Sequence, residues 1–178
     1  MSDERRQRTP LEAAATLAAI EDIKRLKARY FRYVDTKDWE QLAQVFTPDV
    51  EFDRTMGNAV RDPWTGVWKP PLAEVAQIVS GRDAVIRMIR VAVEQVHTVH
   101  QGYMPELEVL SATSARGVWA MCDELWDRDH KLILRGSGHY HETYQRSSAG
   151  WAIKTTKLVR LSLLFGEGRR QARAAVEE

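Results

Sequence analysis

Three side chains suited to acid–base catalysis stand in two segments of the chain. Tyr30 and Asp35 lie five residues apart in a predicted helix, and His100 lies in a later segment that is typical of a strand. A catalytic histidine needs a partner that fixes its tautomer and raises its basicity, and a buried carboxylate does this well. Asp35 and Asp123 are the two candidate partners of His100.

The spacing of Tyr30 and Asp35 allows two interpretations. Five residues separate two side chains by about 140° around an ideal helix, so the pair can share a cavity only if the helix ends near Asp35. The break at Thr36-Lys37-Asp38 would allow this. The spacing alone favours the other interpretation, in which Tyr30 is a core aromatic residue and Asp35 a turn residue.

Two further histidines have the spacing of a metal-binding pair. His139 and His141 alternate with Tyr140 and therefore share one face of a predicted strand. Such a pair can ligate a metal, with His100 or Asp123 as a third ligand. Because these pairs more often belong to a polar surface or a pocket lining, we predict no metal site.

Another predicted strand carries a charge among apolar neighbours. Asp123 follows the largely apolar run 117–122, where a charge must be paired, hydrated or functional. A position on the solvent side of a sheet fits equally well. Trp119 and Trp126 fall on opposite faces of this strand, so one of the two rings is expected to line a cavity.

The elements that must position these side chains follow from the periodicity of the chain. Thr9-Pro10-Leu11-Glu12 has the pattern of a capping box at a helix start, and apolar residues then recur at helical steps up to Val34. A short helix over 39–46, ended by Pro48, precedes a strand over 50–53, and a third helix begins after 80–83. Strands are predicted over 96–110, 115–126, 131–145 and 151–164, the first of them split at Pro105.

This order of elements indicates an α+β domain. About three N-terminal helices would pack on an antiparallel-rich sheet, which encloses an apolar pocket if it is strongly curved. Residues 54–80 interrupt the pattern as an irregular insertion with Trp64 and Trp68. Long loops of this kind are lids, packing arms or disordered segments, and a lid and an oligomer contact are equally compatible with it.

Composition excludes several classes of protein. The 178 residues suit one domain, and the net charge of +1 provides no basic field for nucleic acid. No segment approaches the ~18–20 apolar residues that span a bilayer, and the charged N-terminus lacks the apolar core of a signal peptide. The single cysteine, Cys122, excludes an internal disulfide and fits a reducing compartment. We therefore expect a cytoplasmic protein that binds neither nucleic acid nor membranes.

Several segments resemble the SnoaL-like branch of the nuclear transport factor 2-like (NTF2-like) superfamily. They are RYFRYVD, DWEQLAQVFTPDV and EFD within 23–53, GRDAVI at 81–86, VHQGYMP at 99–105, GHYHETY at 138–144 and GWAI at 150–153. The resemblance covers residues 17–165, with an N-terminal extension and helix start at 1–16 and a polar tail at 166–178. It implies an NTF2-like cone of helices on a strongly curved mixed sheet.

Within this branch the layout resembles the bile acid 7α-dehydratases and scytalone dehydratases, which are lyases without a cofactor. The resemblance implies His100 as the base, Asp35 as its partner and Tyr30 as a hydrogen-bond donor. It also implies a pocket acid at Asp123 and a basic residue of the last strand, Arg160 or Lys157, whereas His139 and His141 depart from the pattern of the dehydratases. Together with the strand alternation, this gives Asp123, Trp119, His139, His141 and Arg160 as the predicted substrate-binding residues.

Two functions from different classes are therefore predicted. The first is a cofactor-independent, dehydratase-like lyase or isomerase acting on a hydrophobic ring substrate such as a steroid, terpenoid or aromatic polyketide. The second is a non-catalytic module that binds a small molecule or supports assembly, including the role of a dioxygenase β-subunit. In the second case the three catalytic candidates would not converge. A homodimer or homotrimer is expected, because relatives form both and the curved sheet has an exposed outer face.

Overall fold

The computed structural model describes residues 9–57, 59–69 and 77–167. Three helices and eight strands lie in these residues. The helices are α1 (Pro10–Asp35), α2 (Trp39–Ala43) and α3 (Arg82–Val93), and the strands are β1 (Phe46–Asp53), β2 (Val60–Arg61), β3 (Trp68–Lys69), β4 (Ile78–Ser80), β5 (His97–Val109), β6 (Ser114–Trp126), β7 (Leu132–Ser147) and β8 (Gly150–Phe165).

Six of these strands form one mixed sheet in the order β4-β1-β8-β7-β6-β5. The pairing of β1 with β8 is parallel, and the other pairings are antiparallel. Strands β2 and β3 form a separate two-stranded sheet. The helices cover one face, here called the inner face, so the predicted α+β cone with an antiparallel-rich mixed sheet is confirmed.

Helix α1 forms because its start is capped and one of its faces is apolar. Thr9 and Glu12 form the predicted capping box, with the Thr9 hydroxyl accepting from the Glu12 N–H and Glu12 accepting from the Thr9 N–H. Ile23, Leu26 and Val34 are buried in the core against the inner face of the sheet. The helix ends at Asp35, as the break in the sequence predicted.

Two predicted boundaries are wrong. Helix α2 ends at Ala43 and β1 already begins at Phe46, so Pro48 lies inside a strand and does not end the helix. Pro105 does not split β5, because this strand is at an edge of the sheet, where a missing N–H is tolerated. The chain instead shifts register between Tyr103 and Glu106, and Met104 takes a φ of 25° there.

The insertion predicted at 54–80 is partly regular. It contains β2 and β3, and β4 pairs with β1. Trp64 is 89% exposed. Residues 58 and 70–76 of the insertion, 1–8 of the predicted extension and 168–178 of the predicted tail lie outside the described residues. None of the helices in the described part of the chain is both long and apolar enough to cross a bilayer.

Candidate active site

A cavity of about 190 Å³ lies where α1 and α3 meet the inner face of the sheet. Most of its wall is apolar and comes from α3, from Phe52 of β1 and from Leu125, Leu134 and Leu158 of the long strands. The polar side chains that line it are Tyr30, Arg54, His100, Asp123, Tyr140 and Arg160. Four of these six were candidate site residues on sequence grounds.

The structure brings Asp35 and His100 into direct contact. Asp35 Oδ1 lies 2.7 Å from His100 Nδ1, and Asp35 Oδ2 accepts the backbone N–H of His100 at 2.9 Å. A carboxylate that accepts at Nδ1 places the proton of the neutral ring on that nitrogen and leaves the lone pair on Nε2. Nε2 makes no hydrogen bond to a described residue, so His100 presents an unoccupied basic nitrogen beside the cavity.

Thr98 and Lys37 support the same carboxylate. The Thr98 hydroxyl donates to Asp35 Oδ1 at 2.8 Å and accepts from Lys37 Nζ at 2.9 Å. Burial alone would raise the pKa of Asp35, but its hydrogen bonds with His100 and Thr98 hold the pKa below the usual value. Asp35 therefore stays ionised at neutral pH, as a partner of a histidine base must.

Tyr30 faces the cavity from α1, and Tyr140 faces it from β7. Their rings make an edge-to-face contact with centroids 6.1 Å apart. Burial raises the pKa of Tyr30 far above its usual value, against an opposing hydrogen bond with Tyr140. Burial likewise raises the pKa of Tyr140. Both residues are therefore neutral phenols that can donate a hydrogen bond.

Asp123 and Arg160 form a bidentate pair in the wall of the cavity. Arg160 Nη1 donates to Asp123 Oδ1 at 2.7 Å and Nη2 donates to Oδ2 at 2.6 Å, while Nε donates to the Gly57 carbonyl at 2.8 Å. Burial alone would lower the pKa of Arg160, but Asp123 holds it above the usual value. Gly136 makes the pair possible, because a Cβ there would lie 1.9 Å from Arg160 Nη1.

A second buried ion pair lies deeper in the cone, and sequence reasoning missed it. Lys27 Nζ donates to Glu142 Oε1 at 2.5 Å, and both side chains are almost fully buried. Glu142 also accepts from Thr156 at 3.0 Å and from the Tyr144 hydroxyl at 2.6 Å. Burial lowers the pKa of Lys27, and Glu142 opposes that shift. The Lys27 ammonium also lies 3.7 Å from the centroid of the Tyr140 ring.

His139 and His141 do not line this cavity, so their predicted substrate-binding role stays a prediction that this cavity does not support. The two histidines share a face, as predicted, but it is the outer one, because Tyr140 and Glu142 between and beside them point inward and are buried. Lys157 is also outside the cavity and pairs with Asp53 at 3.0 Å. Arg160 is therefore the basic residue of the last strand that faces inward.

The metal set considered for His139 and His141 is not assembled, because His100 and Asp123 lie on the opposite face of the sheet. Among residues 9–57, 59–69 and 77–167, no group of three or more His, Cys, Asp or Glu side chains is placed to hold a metal ion.

Trp119 faces inward but does not line the cavity. It is 5% exposed, and its Nε1–H donates to the Tyr144 hydroxyl at 2.7 Å. In this structure Trp119 therefore makes a structural contact, and its predicted substrate contact stays a prediction. Trp64 and Trp68 are likewise absent from the described lining of the cavity.

Arg54 and Tyr140 are lining residues that sequence reasoning missed. Alternation alone could have identified Tyr140, because Tyr140, Glu142 and Tyr144 occupy one face of β7 and the two aromatic rings mark that face as the buried one. Arg54 had no such signal, because it lies in the irregular insertion immediately after β1.

Comparison with known proteins matches most of the chain to one family. Residues 15–157 match the model of the SnoaL-like domain. A probable cyclase, FGR4, from Gibberella zeae is 21% identical over 141 residues, which are 78% of this chain and 89% of that protein.

Two solved structures share the fold. One is described as a putative scytalone dehydratase from Novosphingobium aromaticivorans (TM-score 0.66, 18% identity, 86% of this chain and 91% of that one). The other is the hexachlorocyclohexane dehydrochlorinase LinA-type3 from Novosphingobium barchaimii (TM-score 0.64, 18% identity, 90% and 96%). The family model matches well over half of the chain, and the chain therefore belongs to the SnoaL-like domain family.

Proposed function

We propose that this protein is a cofactor-independent lyase or isomerase that acts on a hydrophobic ring compound. The observation that carries the proposal is the 2.7 Å contact between Asp35 Oδ1 and His100 Nδ1 at the wall of an apolar cavity. Relatives described as a cyclase, a scytalone dehydratase and a dehydrochlorinase support a general lyase or isomerase type of activity.

The base in this proposal is His100. Its Nε2 takes a proton from a carbon beside a carbonyl group, and the electron pair of the broken C–H bond forms an enolate. Asp35 stabilises the resulting imidazolium without accepting its proton. A positioned base of this kind contributes on the order of 10²–10⁴-fold to the rate.

Tyr30 completes the proposed reaction as a hydrogen-bond donor. The enolate re-forms its carbonyl as the hydroxyl group on the next carbon departs, and that hydroxyl takes the proton from the His100 imidazolium to leave as water. The neutral Tyr30 phenol donates a hydrogen bond to the enolate oxygen or to the departing hydroxyl. In an isomerase the same proton would instead return to another carbon.

The cavity favours a small ring. A dry cavity of about 150 Å³ holds benzene, whereas pockets for drug-sized ligands measure about 300–1,000 Å³. The volume here is about 190 Å³, which is room for one substituted ring. The cavity therefore accommodates one ring of the substrate, whereas most of a steroid would have to lie outside it.

Replacing the base tests the proposal. The His100→Ala variant and the wild type are compared on a panel of cyclic β-hydroxy ketones, with the conjugated enone product followed by its ultraviolet absorbance. We expect kcat/KM to fall on the order of 10²–10⁴-fold. His97→Ala is the matched control, since His97 lies on the exposed side of the same strand and stacks on His130. Unchanged turnover in His100→Ala would exclude His100 as the base.

The alternative function is a non-catalytic binding module. It predicts that the catalytic candidates do not converge or that side chains fill the cone. The Asp35–His100 contact beside an open cavity favours the enzyme. Ligand binding without turnover in both the wild type and His100→Ala would favour the module.

The proposed enzyme is a homodimer or homotrimer. The outer face of the sheet carries exposed apolar side chains such as Val99, 43% exposed, and Leu164, 58% exposed, which are suited to such contacts. Light scattering during size-exclusion chromatography measures the mass of the assembly, and a mass equal to that of one 20.4 kDa chain would contradict the proposal.

A further inference from the structure

The turn after β1 holds an arginine firmly at the cavity. The Arg54 N–H donates to the Gln77 carbonyl at 2.9 Å, and the Arg54 carbonyl accepts from the Gly57 N–H at 2.9 Å. Asp53, the preceding residue, accepts from the Thr55 N–H at 2.8 Å and pairs with Lys157. The backbone on both sides of Arg54 is therefore tied down, and its partly buried side chain lines the cavity.

The other charges at the cavity are already compensated. Both oxygens of Asp123 are engaged by Arg160, and the carboxylate of Asp35 is engaged by His100 and Thr98. The Nε–H of Arg160 is engaged by the Gly57 carbonyl. The charge of Arg160 is therefore already compensated by a buried carboxylate.

Arg54 differs from Arg160 in having no acidic partner within residues 9–57, 59–69 and 77–167. Burial lowers the pKa of its guanidinium, and no described carboxylate acts to raise it. A positive charge is thus held against a mostly apolar wall, where removal of water costs free energy unless a counter-charge arrives. The cavity is built to receive a negative charge together with an apolar body.

We propose that Arg54 binds the carboxylate of the substrate, so that the substrate of this enzyme is a small cyclic carboxylic acid. The guanidinium presents paired N–H donors whose planar geometry matches a carboxylate. The ring of the acid fills the apolar part of the cavity, whose 190 Å³ fits a single ring. That the acid is a substrate rests on the proposed function, whereas the recognition of the acid by Arg54 is testable by binding alone.

Binding of acid and amide pairs tests this recognition. Benzoate and cyclohexanecarboxylate are compared with benzamide and cyclohexanecarboxamide, which have the same shape without the charge, by isothermal titration calorimetry on the wild-type protein. We expect the acids to bind on the order of 10- to 100-fold more tightly than the amides, because hydrogen bonds to charged groups contribute that much more than neutral ones. Equal affinity for acid and amide, or no detectable binding of either acid, would overturn the proposal.

Variants identify the residue responsible. Arg54→Gln should bind acids and amides equally, and Arg54→Lys should keep part of the preference, because it retains the charge without the planar pair of donors. Arg29→Gln is the matched control, since Arg29 is an exposed arginine of α1 outside the cavity. Circular dichroism checks that each variant is folded. If Arg54→Gln binds acids over amides by the same factor as the wild type, Arg54 is not the residue that binds the carboxylate.

These outcomes are separable from those of the proposed function. If His100→Ala loses turnover while Arg54→Gln keeps the acid preference, the role of His100 as base is supported and the binding role of Arg54 is excluded. If His100→Ala keeps turnover while Arg54→Gln loses the acid preference, the binding role of Arg54 is supported and the role of His100 as base is excluded.

Discussion

Two pairs that each contain a carboxylate join α1 to the inner face of the sheet, and they differ in whether a hydrogen-bonding atom remains without a partner. Lys27 and Glu142 are almost fully buried, with side-chain exposures of 0% and 1%. His100 and Asp35 lie at the wall of the cavity, and their side chains are 8% and 26% exposed.

The two pairs also differ in their hydrogen bonds. At Glu142, the Lys27 ammonium and the Thr156 and Tyr144 hydroxyls donate to both oxygens of the carboxylate, and Trp119 in turn donates to Tyr144. In the other pair one histidine nitrogen remains unoccupied beside the cavity. Burial with complete hydrogen bonding is typical of a structural pair, whereas an unoccupied basic nitrogen at a cavity is typical of a catalytic one.

The largest expected effect is on catalysis and concerns Asp35. In Asp35→Asn the amide can donate to Nδ1, which moves the ring proton to Nε2 and removes the basic lone pair from the cavity. We expect kcat/KM to fall on the order of 10²–10⁴-fold, measured on the ketone panel, with unfolding still cooperative. Wild-type turnover in Asp35→Asn would show that this pair, like Lys27 and Glu142, has only a structural role.

The structural pair should respond in stability instead. Lys27→Met leaves the Glu142 carboxylate buried without its cation, which costs about 3–5 kcal/mol. The double variant Lys27→Met/Glu142→Gln should recover part of that loss, because no charge remains to be buried. Urea unfolding measures both. A single variant as stable as the wild type, or a double variant no more stable than the single one, would contradict the structural assignment.

Lys37 separates two effects within the proposed catalytic pair. Its φ of 60° lies in the left-handed region, which costs a non-glycine residue about 1–2 kcal/mol, while its ammonium supports Thr98. Lys37→Gly and Lys37→Ala both remove the ammonium, but only glycine relieves the backbone. We expect the glycine variant to be more stable by about 1 kcal/mol in urea unfolding, and both variants to lose the same small fraction of activity. Equal stability of the two variants would show that the backbone at Lys37 is not strained.

The smallest effect is the pH dependence of stability. The pKa of Asp35 is held below its unfolded value of about 3.9, so this carboxylate stabilises the fold above that pH and loses the contribution as pH falls through the folded pKa. The stability difference between the wild type and Asp35→Asn should therefore be larger near neutral pH than below about pH 4. Urea unfolding at the two pH values measures it, and a difference independent of pH would mean that the hydrogen bonds with His100 and Thr98 do not lower the pKa of Asp35 on folding.

The sequence predicted the local parts of this site well. The helix end at Asp35 was readable from the break at 36–38, and the capping box at Thr9 from its spacing, because both depend on neighbours a few residues away. The sequence does not give the boundary of α2, because Pro48 has the pattern of a helix stop although the first strand has already begun. It does not give the role of Pro105 either, because an edge strand tolerates a missing donor and edge position is a property of the whole sheet.

The inward direction of each strand was harder to predict. His139 and His141 were correctly placed on one face of a strand, but which face became the inner one was decided by Tyr140 and Glu142 packing against α1. A shift of one residue in the register of a strand moves every side chain to the opposite face. The role of Lys27 was missed for a related reason, since its partner is 115 positions away along the chain.

The sequence by itself determined the family, the order of helices and strands, and the residue types available for chemistry, because periodicity, caps and motifs are local properties of the chain. Only the tertiary structure decided which charges meet. It paired Asp35 with His100 and Asp123 with Arg160, sealed Lys27 against Glu142, and left Arg54 facing the cavity without an acidic partner in the described residues. Such pairings depend on contacts between distant segments and on the removal of water, and neither is encoded in local spacing.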